Sequence, residues 1–233
     1  MTIKNFGSGT PKLNEGIIVS GSAGDDTYSV VVTGSVCFQG DITTDEYIFH
    51  RGDTDTYIRL EDDEINIEVG GRQMIKMVEA ATDKITINNG GNDVDLQVKG
   101  ENEANLIRTD AGNDRVGIVT SSPGSGLHVN SSFATALTVK SSDYTATDSD
   151  HTILVDCSNG NVNITLPSAV GSVGRIYVIK RIDGTNNAAN INSNGSEEIE
   201  GSTNPASVTS MSSIMIQSDN LGWWKVAEYI LPP

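Results

Sequence analysis

The stretch Tyr57-Ile-Arg-Leu-Glu-Asp-Asp-Glu-Ile-Asn-Ile-Glu-Val-Gly-Gly71 decides the fold class. In Tyr57-Ile-Arg-Leu60 and Ile65-Asn-Ile-Glu-Val69 polar and apolar residues alternate, so the aliphatic side chains share one face of an extended strand. Asp62-Asp63 between the two runs is the predicted hairpin turn, and Gly70-Gly71 ends the second run. Its core, an acid followed by alternating aliphatics, is written three times: Asp63-Glu-Ile-Asn-Ile67, Asp83-Lys-Ile-Thr-Ile87 and Asp114-Arg-Val-Gly-Ile118. The aspartates are 20 and then 31 residues apart, so the repeat is irregular. A short strand that returns after a strand-turn-strand unit predicts stacked or intertwined β structure.

The rest of the chain supports an all-β reading. Its 233 residues include 24 glycines and many Asn, Asp, Ser and Thr, which fits a turn every eight to twelve residues. With 36% hydrophobic residues and 5% aromatics, it has little material for one large core, so an elongated shape is expected. Around Arg72 to Asp83, Met74, Ile75, Met77 and Val78 could line a helix or extend a strand into the second module; the strand is adopted. One thin apolar stripe per module returns less free energy than ordering the module costs. Three chains wound together would pool those stripes, and a homotrimer is therefore the predicted assembly.

Charge narrows the partners. The net charge is −16, with 22 acids against 11 bases up to Asp143 and 9 against 4 beyond it. Clustered Lys and Arg that could neutralise phosphates are absent, so nucleic acid and anionic membranes are disfavoured. Met1-Thr-Ile-Lys-Asn-Phe-Gly7 lacks the apolar run of a secretory signal, and no window is long enough to cross a bilayer, so maturation in a cytoplasm is expected. In that setting Cys37 and Cys157, each in an apolar context, are expected as free buried thiols.

Four regions follow. Residues 1–40 are an arm with aliphatic bursts at Ile17-Ile-Val19 and Val30-Val-Val32. Residues 41–126 form the repetitive shaft, and Ser121-Ser-Pro-Gly-Ser-Gly126 breaks it. Residues 127–143 read as a linker. Residues 144–233 offer strand candidates at His151 to Cys157, Val162 to Leu166, Arg175 to Ile182, Asn190 to Ile191, Ser213 to Gln217 and Trp223 to Tyr229. Short strands at this spacing predict a β-sandwich of jelly-roll-like type.

Several of these segments carry a family resemblance. Gly40 to Gly71 (GDITTDEYIFHRGDTDTYIRLEDDEINIEVGG), Gly90 to Ile118 (GGNDVDLQVKGENEANLIRTDAGNDRVGI) and Thr120 to Val129 (TSSPGSGLHV) resemble virion structural proteins of tailed bacteriophages, in particular fibre-like proteins of cyanophages and other marine phages. The end of the chain, from Tyr144 to Gly184 with Ser196 to Ser202 and Leu221 to Val226, is similar to the C-terminal domain of many phage tail fibres. The resemblance begins near residue 41. It departs at Val119, where the family pattern GIGTSSP has glycine; a branched residue there disfavours positive φ, so a straighter exit from the repeat is expected.

The resemblance implies a location on the virion surface and an N-terminal arm that docks to other tail or capsid proteins, with Ile3, Phe6 and Leu13 as candidate anchors. It implies host-surface attachment to a glycan or protein, with Thr185, Asn186 and Asn187 as candidate contacts. Trp223 and Trp224 are adjacent on a strand and must face opposite ways, one into a core and the other towards a subunit or a sugar. Trp223 is the candidate glycan contact. A capsid-bound head fibre or decoration protein is the alternative form, and a polysaccharide-depolymerising tailspike a further one.

Chemical motifs are thin. Arg51-Gly-Asp53 reads as a turn. Gly90-Gly-Asn-Asp-Val-Asp-Leu96 approximates a calcium nonapeptide, but Asp93 stands where glycine is needed. Glu61-Asp-Asp-Glu64 and Glu197-Glu198 could in principle supply paired carboxylates for glycan hydrolysis, but both fall in predicted turns or loops. No nucleophile triad, phosphate loop or metal-spaced cluster stands out, so no enzyme activity and no cofactor is predicted.

Overall fold

The computed structural model describes residues 41–231. The arm over residues 1–40, its aliphatic bursts and Cys37 lie outside them. The described residues contain eighteen strands and no helix, so the protein is all-β. Two compact units divide them: residues 41–96 with 110–114, and residues 97–109 with 115–231.

The first unit is built on β1 (Tyr47–Phe49), β2 (Tyr57–Glu61), β3 (Glu64–Val69), β4 (Arg72–Val78) and β5 (Lys84–Ile87). They form one antiparallel sheet in sequence order. Each acid of the repeated module ends a turn and its aliphatics begin a strand: β3 starts after Asp63 and β5 after Asp83. Asp63 takes φ +59°, a left-handed turn conformation that aspartate tolerates better than most residues. As expected, residues 72–78 are a strand. The first two modules are alternate strands of this meander and do not stack as solenoid units.

In the second unit, β6 (Gln97–Val98), β7 (Ile107–Asp110), β8 (Arg115–Ile118) and β9 (Leu127–Val129) make a four-stranded sheet in that order. The third module is β8, following Asp114 at φ +54°. Val119 corrects the expectation of a straight exit. Its φ is +57°, a region β-branched residues rarely enter. Two hydrogen bonds hold it there: its N–H donates to Leu106 O at 3.3 Å, and its carbonyl accepts Asn130 Nδ2 at 3.2 Å.

The remaining strands form a two-layered sandwich. They are β10 (Leu137–Lys140), β11 (Tyr144–Thr145), β12 (Thr152–Val155), β13 (Val162–Thr165), β14 (Ile176–Arg181), β15 (Ala189–Asn192), β16 (Ala206–Val208), β17 (Ser213–Ser218) and β18 (Trp223–Tyr229). One layer has the order β10-β12-β14-β17-β18, the other β11-β13-β15-β16. From β10 to β15 the chain crosses to the opposite layer at every strand, and pairing within each layer is parallel. Antiparallel strands then close the fold: β16 on β15, β17 on β14 and β18 on β17. A jelly roll pairs its strands antiparallel throughout, so the expected jelly-roll pattern gives way to a mixed one.

The stretch read as a linker is also structured. Leu127–Val129 pairs with β8 and Leu137–Lys140 with β12, both in parallel. Parallel partners lie far apart in sequence, so no local turn signal announces them. Every hydrophobic residue buried among the described residues lies between Ala146 and Trp223, and all belong to one core between the two layers.

Candidate functional site

The candidate contacts at 185–187 sit on a loop organised by a buried cation. β14 alternates outward and inward, so Arg181 falls among the inward positions and is fully buried. Its Nε donates to Asp183 Oδ2 at 3.0 Å and its Nη2 to Asp183 Oδ1 at 2.6 Å, a bidentate pair. Nη2 also donates to the Thr185 carbonyl at 2.5 Å, and Nη1 to the Asn187 carbonyl. Arg181 holds the Asp183 carboxyl far below the usual carboxylate range, helped by Thr185 and by the Cys157 amide, which donates to Asp183 Oδ2 at 2.7 Å. Thr185 Oγ1 donates to Asp183 Oδ1 at 2.7 Å and Asn187 Nδ2 to Cys157 O at 2.7 Å, so both side chains are engaged inside the protein. Asn186 is the exposed member of the three. Cys157 is a free, buried thiol whose pKa burial raises.

The tryptophan pair divides as alternation requires, but the assignment is the reverse of that expected. Trp223 pairs with inward-facing Ser218, is 1% exposed and packs 5.5 Å from the Tyr177 ring. It is core, and a glycan cannot reach it. Its Nε1 is buried with no hydrogen-bond partner. Trp224 is 47% exposed. Its Nε1 donates to Asp219 Oδ2 at 2.7 Å, while Asp219 Oδ1 accepts the amides of Leu221 and Gly222 at 2.8 and 2.9 Å. These bonds, the Gly222 amide first, hold the Asp219 carboxyl below its ordinary pKa. Gly222 is required by close approach, because a Cβ there would stand 2.8 Å from Glu198 O.

The paired acids are differently occupied. Glu197 accepts Ser168 Oγ at 2.7 Å and the Ala169 amide at 2.8 Å, so it ties loops together, whereas Glu198 is exposed. Glu64 pairs with Lys76 Nζ at 2.8 Å, and Glu61 bonds to Arg59. Arg51-Gly-Asp53 is a turn, with Gly52 at φ +82° and the Asp53 amide donating to His50 O at 3.2 Å. In the Gly90 to Leu96 run, Asn88 Oδ1 accepts the Asn92 amide at 3.0 Å and Asp95 Oδ1 accepts the Ala111 amide at 2.9 Å. Among the described residues no three His, Cys, Asp or Glu side chains group as metal ligands. Ile3, Phe6 and Leu13 lie outside the described residues.

What stands out is a surface. Register aligns Ile48, Ile58, Ile67, Ile75 and Ile87 in one row across β1 to β5, and Leu60, Ile65, Met77 and Ile85 in the next row on the same face. These nine aliphatics carry no charge between them. None is buried, and Ile85 is 70% exposed. The opposite face is aromatic and polar. Tyr47, Phe49 and Tyr57 pack with ring centroids 4.9–5.5 Å apart, and Tyr57 OH donates to Glu68 Oε2 at 2.8 Å. Glu64, Asn66, Gln73 and Lys76 bond to one another beside them.

No protein-family model and no curated protein matches the chain.

Proposed function

We propose that this chain is a non-enzymatic structural protein of a tailed-phage virion, a homotrimeric fibre or spike that holds its C-terminal sandwich towards the host surface. The observation that carries the reading is the bare aliphatic face of the β1 to β5 sheet. A single-layered sheet with nine uncharged aliphatics on one face and no buried hydrophobic residue needs a second layer. Partner chains would supply that layer, as the thin apolar stripes of the sequence require. The phage resemblance from residue 41 onward supports the virion setting.

Attachment in this reading comes from many weak contacts made at once by three sandwiches, an avidity effect that needs no deep pocket. Exposed Asn186 and Trp224 are the side chains placed to make them. Labelling the protein on intact virions, followed by cryo-electron microscopy, tests the setting. Density on the tail supports a tail fibre, density on capsid faces a head fibre, and absence from purified virions contradicts the proposal. Release of oligosaccharides from host polysaccharide by the purified chain would contradict its non-enzymatic part.

A further inference from the structure

The two outer faces of the sandwich differ in kind. On the β11-β13-β15-β16 layer the outward rows are Asn163, Asn190 and Ser207, then Thr145, Thr165 and Asn192. They are neutral and polar, and they bond to their surroundings: Asn190 Nδ2 donates to Asn163 Oδ1 at 3.3 Å, and Asn163 Nδ2 to Asp143 Oδ2 at 3.0 Å. Strands Val162-Asn-Ile-Thr165 and Ala189-Asn-Ile-Asn192 alternate strictly, as strands with one wet face do.

On the β10-β12-β14-β17-β18 layer the outward rows are Leu137, Thr152, Val178, Met215 and Ala227, then Val139, Leu154, Lys180, Ser213 and Tyr229. Ile176, Gln217 and Trp224 continue the face. Its strands contain the continuous apolar runs Ile153-Leu-Val155, Ile176-Tyr-Val-Ile179 and Ile214-Met-Ile216, the pattern of strands covered on both faces. Leu137 is 61% and Val139 57% exposed, so the described residues supply no cover there. A chain with 31 acids places no carboxylate on any of these positions. The single cation among them is Lys180, whose Nζ donates to Met211 O and lies over the neighbouring Tyr229 ring, 5.6 Å from its centroid.

We infer that this outer face is an interface between copies of this chain, the same face of three copies meeting around one threefold axis. The inference rests on the oligomeric part of the proposed function. Charge favours this occupant. Two copies that each carry −16 repel over most of their surface and can meet closely only where acids are missing. Five strands about 4.8 Å apart and about five residues long cover about 400 Å². That is about half of the ~800 Å² that each partner contributes to a stable interface, so the face is one part of what each copy buries on association.

Light scattering on the full chain at micromolar concentration tests it. The expected wild-type mass is three times 24.7 kDa. Val178→Glu with Met215→Glu should raise the dissociation constant at least tenfold, while Asn190→Glu with Thr165→Glu, on the polar face, should leave it within about twofold. The wild type guards against a variant that fails to fold. Its association should tighten as salt rises from about 0.05 to 0.5 M, because screening relieves repulsion between like-charged copies. A wild-type oligomer whose mass survives both glutamates, with Trp223 fluorescence native, overturns this interface and leaves the oligomer standing. Weakening with salt also overturns the interface, since it would mark an attractive charged contact. A monomeric wild type overturns the oligomer and the interface together.

Discussion

The sheet of β1 to β5 and the sandwich layer β10-β12-β14-β17-β18 have the same number of strands and the same isoleucine-rich rows, yet they bury them differently. In the sandwich the row Ile153, Ile179 and Ile214 is at most 1% exposed. In the β1 to β5 sheet the row from Ile48 to Ile87 contains no buried residue, and Ile48 is 51% exposed. Strand chemistry is alike in both. What differs, among the described residues, is whether a second layer returns, as it does in the sandwich by crossing over at each strand from β10 to β15. A patterned strand therefore specifies a face, and topology decides whether that face becomes a core or an interface.

The largest effect that sharpens this contrast is expected at Arg181. Arg181→Ala leaves Asp183 poorly compensated beside the core and should destabilise the sandwich by about 3–5 kcal/mol, measured by denaturation followed through Trp223 fluorescence. The same pair predicts acid sensitivity. Asp183 is depressed in the folded state, so its stabilisation is complete above the unfolded value near pH ~4 and is lost progressively as pH falls below it. The melting temperature should drop between about pH 5 and 2, less steeply in Asp183→Asn, and equal slopes would contradict the role given to the pair.

Next comes a matched pair of truncations. Ile179→Ala should cost about 2–5 kcal/mol at any protein concentration, because it opens a cavity in a closed core. Ile75→Ala removes the same atoms from the β1 to β5 sheet. It should cost under ~1 kcal/mol in dilute monomer and more as chains associate, read from denaturation at several concentrations. Equal costs at every concentration would erase the distinction between the two regions. The smallest effect belongs to Val119→Gly. Relief of the left-handed strain should outweigh the added backbone entropy and stabilise the second unit by about 1 kcal/mol in thermal unfolding.

The elements that alternate or sit between strong turn signals were legible in the sequence. Asp62-Asp63 marks its turn, and the six C-terminal strand candidates overlap β12, β13, β14, β15, β17 and β18. Strands β10, β11 and β16 are short and flanked by Ser and Thr, and two of them pair in parallel with distant partners, which leaves no local trace. Trp223 and Trp224 were bound to face apart, but which one faces inward depends on the length of the turn 219–222, which sets Trp223 opposite inward-facing Ser218 and Trp224 opposite Gln217. Arg181 did leave a signal, a charge at an inward position of Ile-Tyr-Val-Ile-Lys-Arg, and inward parity is the property that would have found it. Val119 shows the opposite case: residue preference argued for an extended exit, and two hydrogen bonds, one donated to Leu106 O and one accepted from Asn130 Nδ2, override it.

The measurement that tests the central claim most directly is amide hydrogen exchange of the full chain over a range of protein concentrations. The central strands of the sandwich, β14 and β17, should be protected equally throughout, since their core is closed within one chain. Protection of β2, β3 and β4 should rise with concentration, in step with the mass in solution. Strong, concentration-independent protection of β2 to β4 in a chain that remains monomeric would contradict the claim that this sheet is completed by other copies.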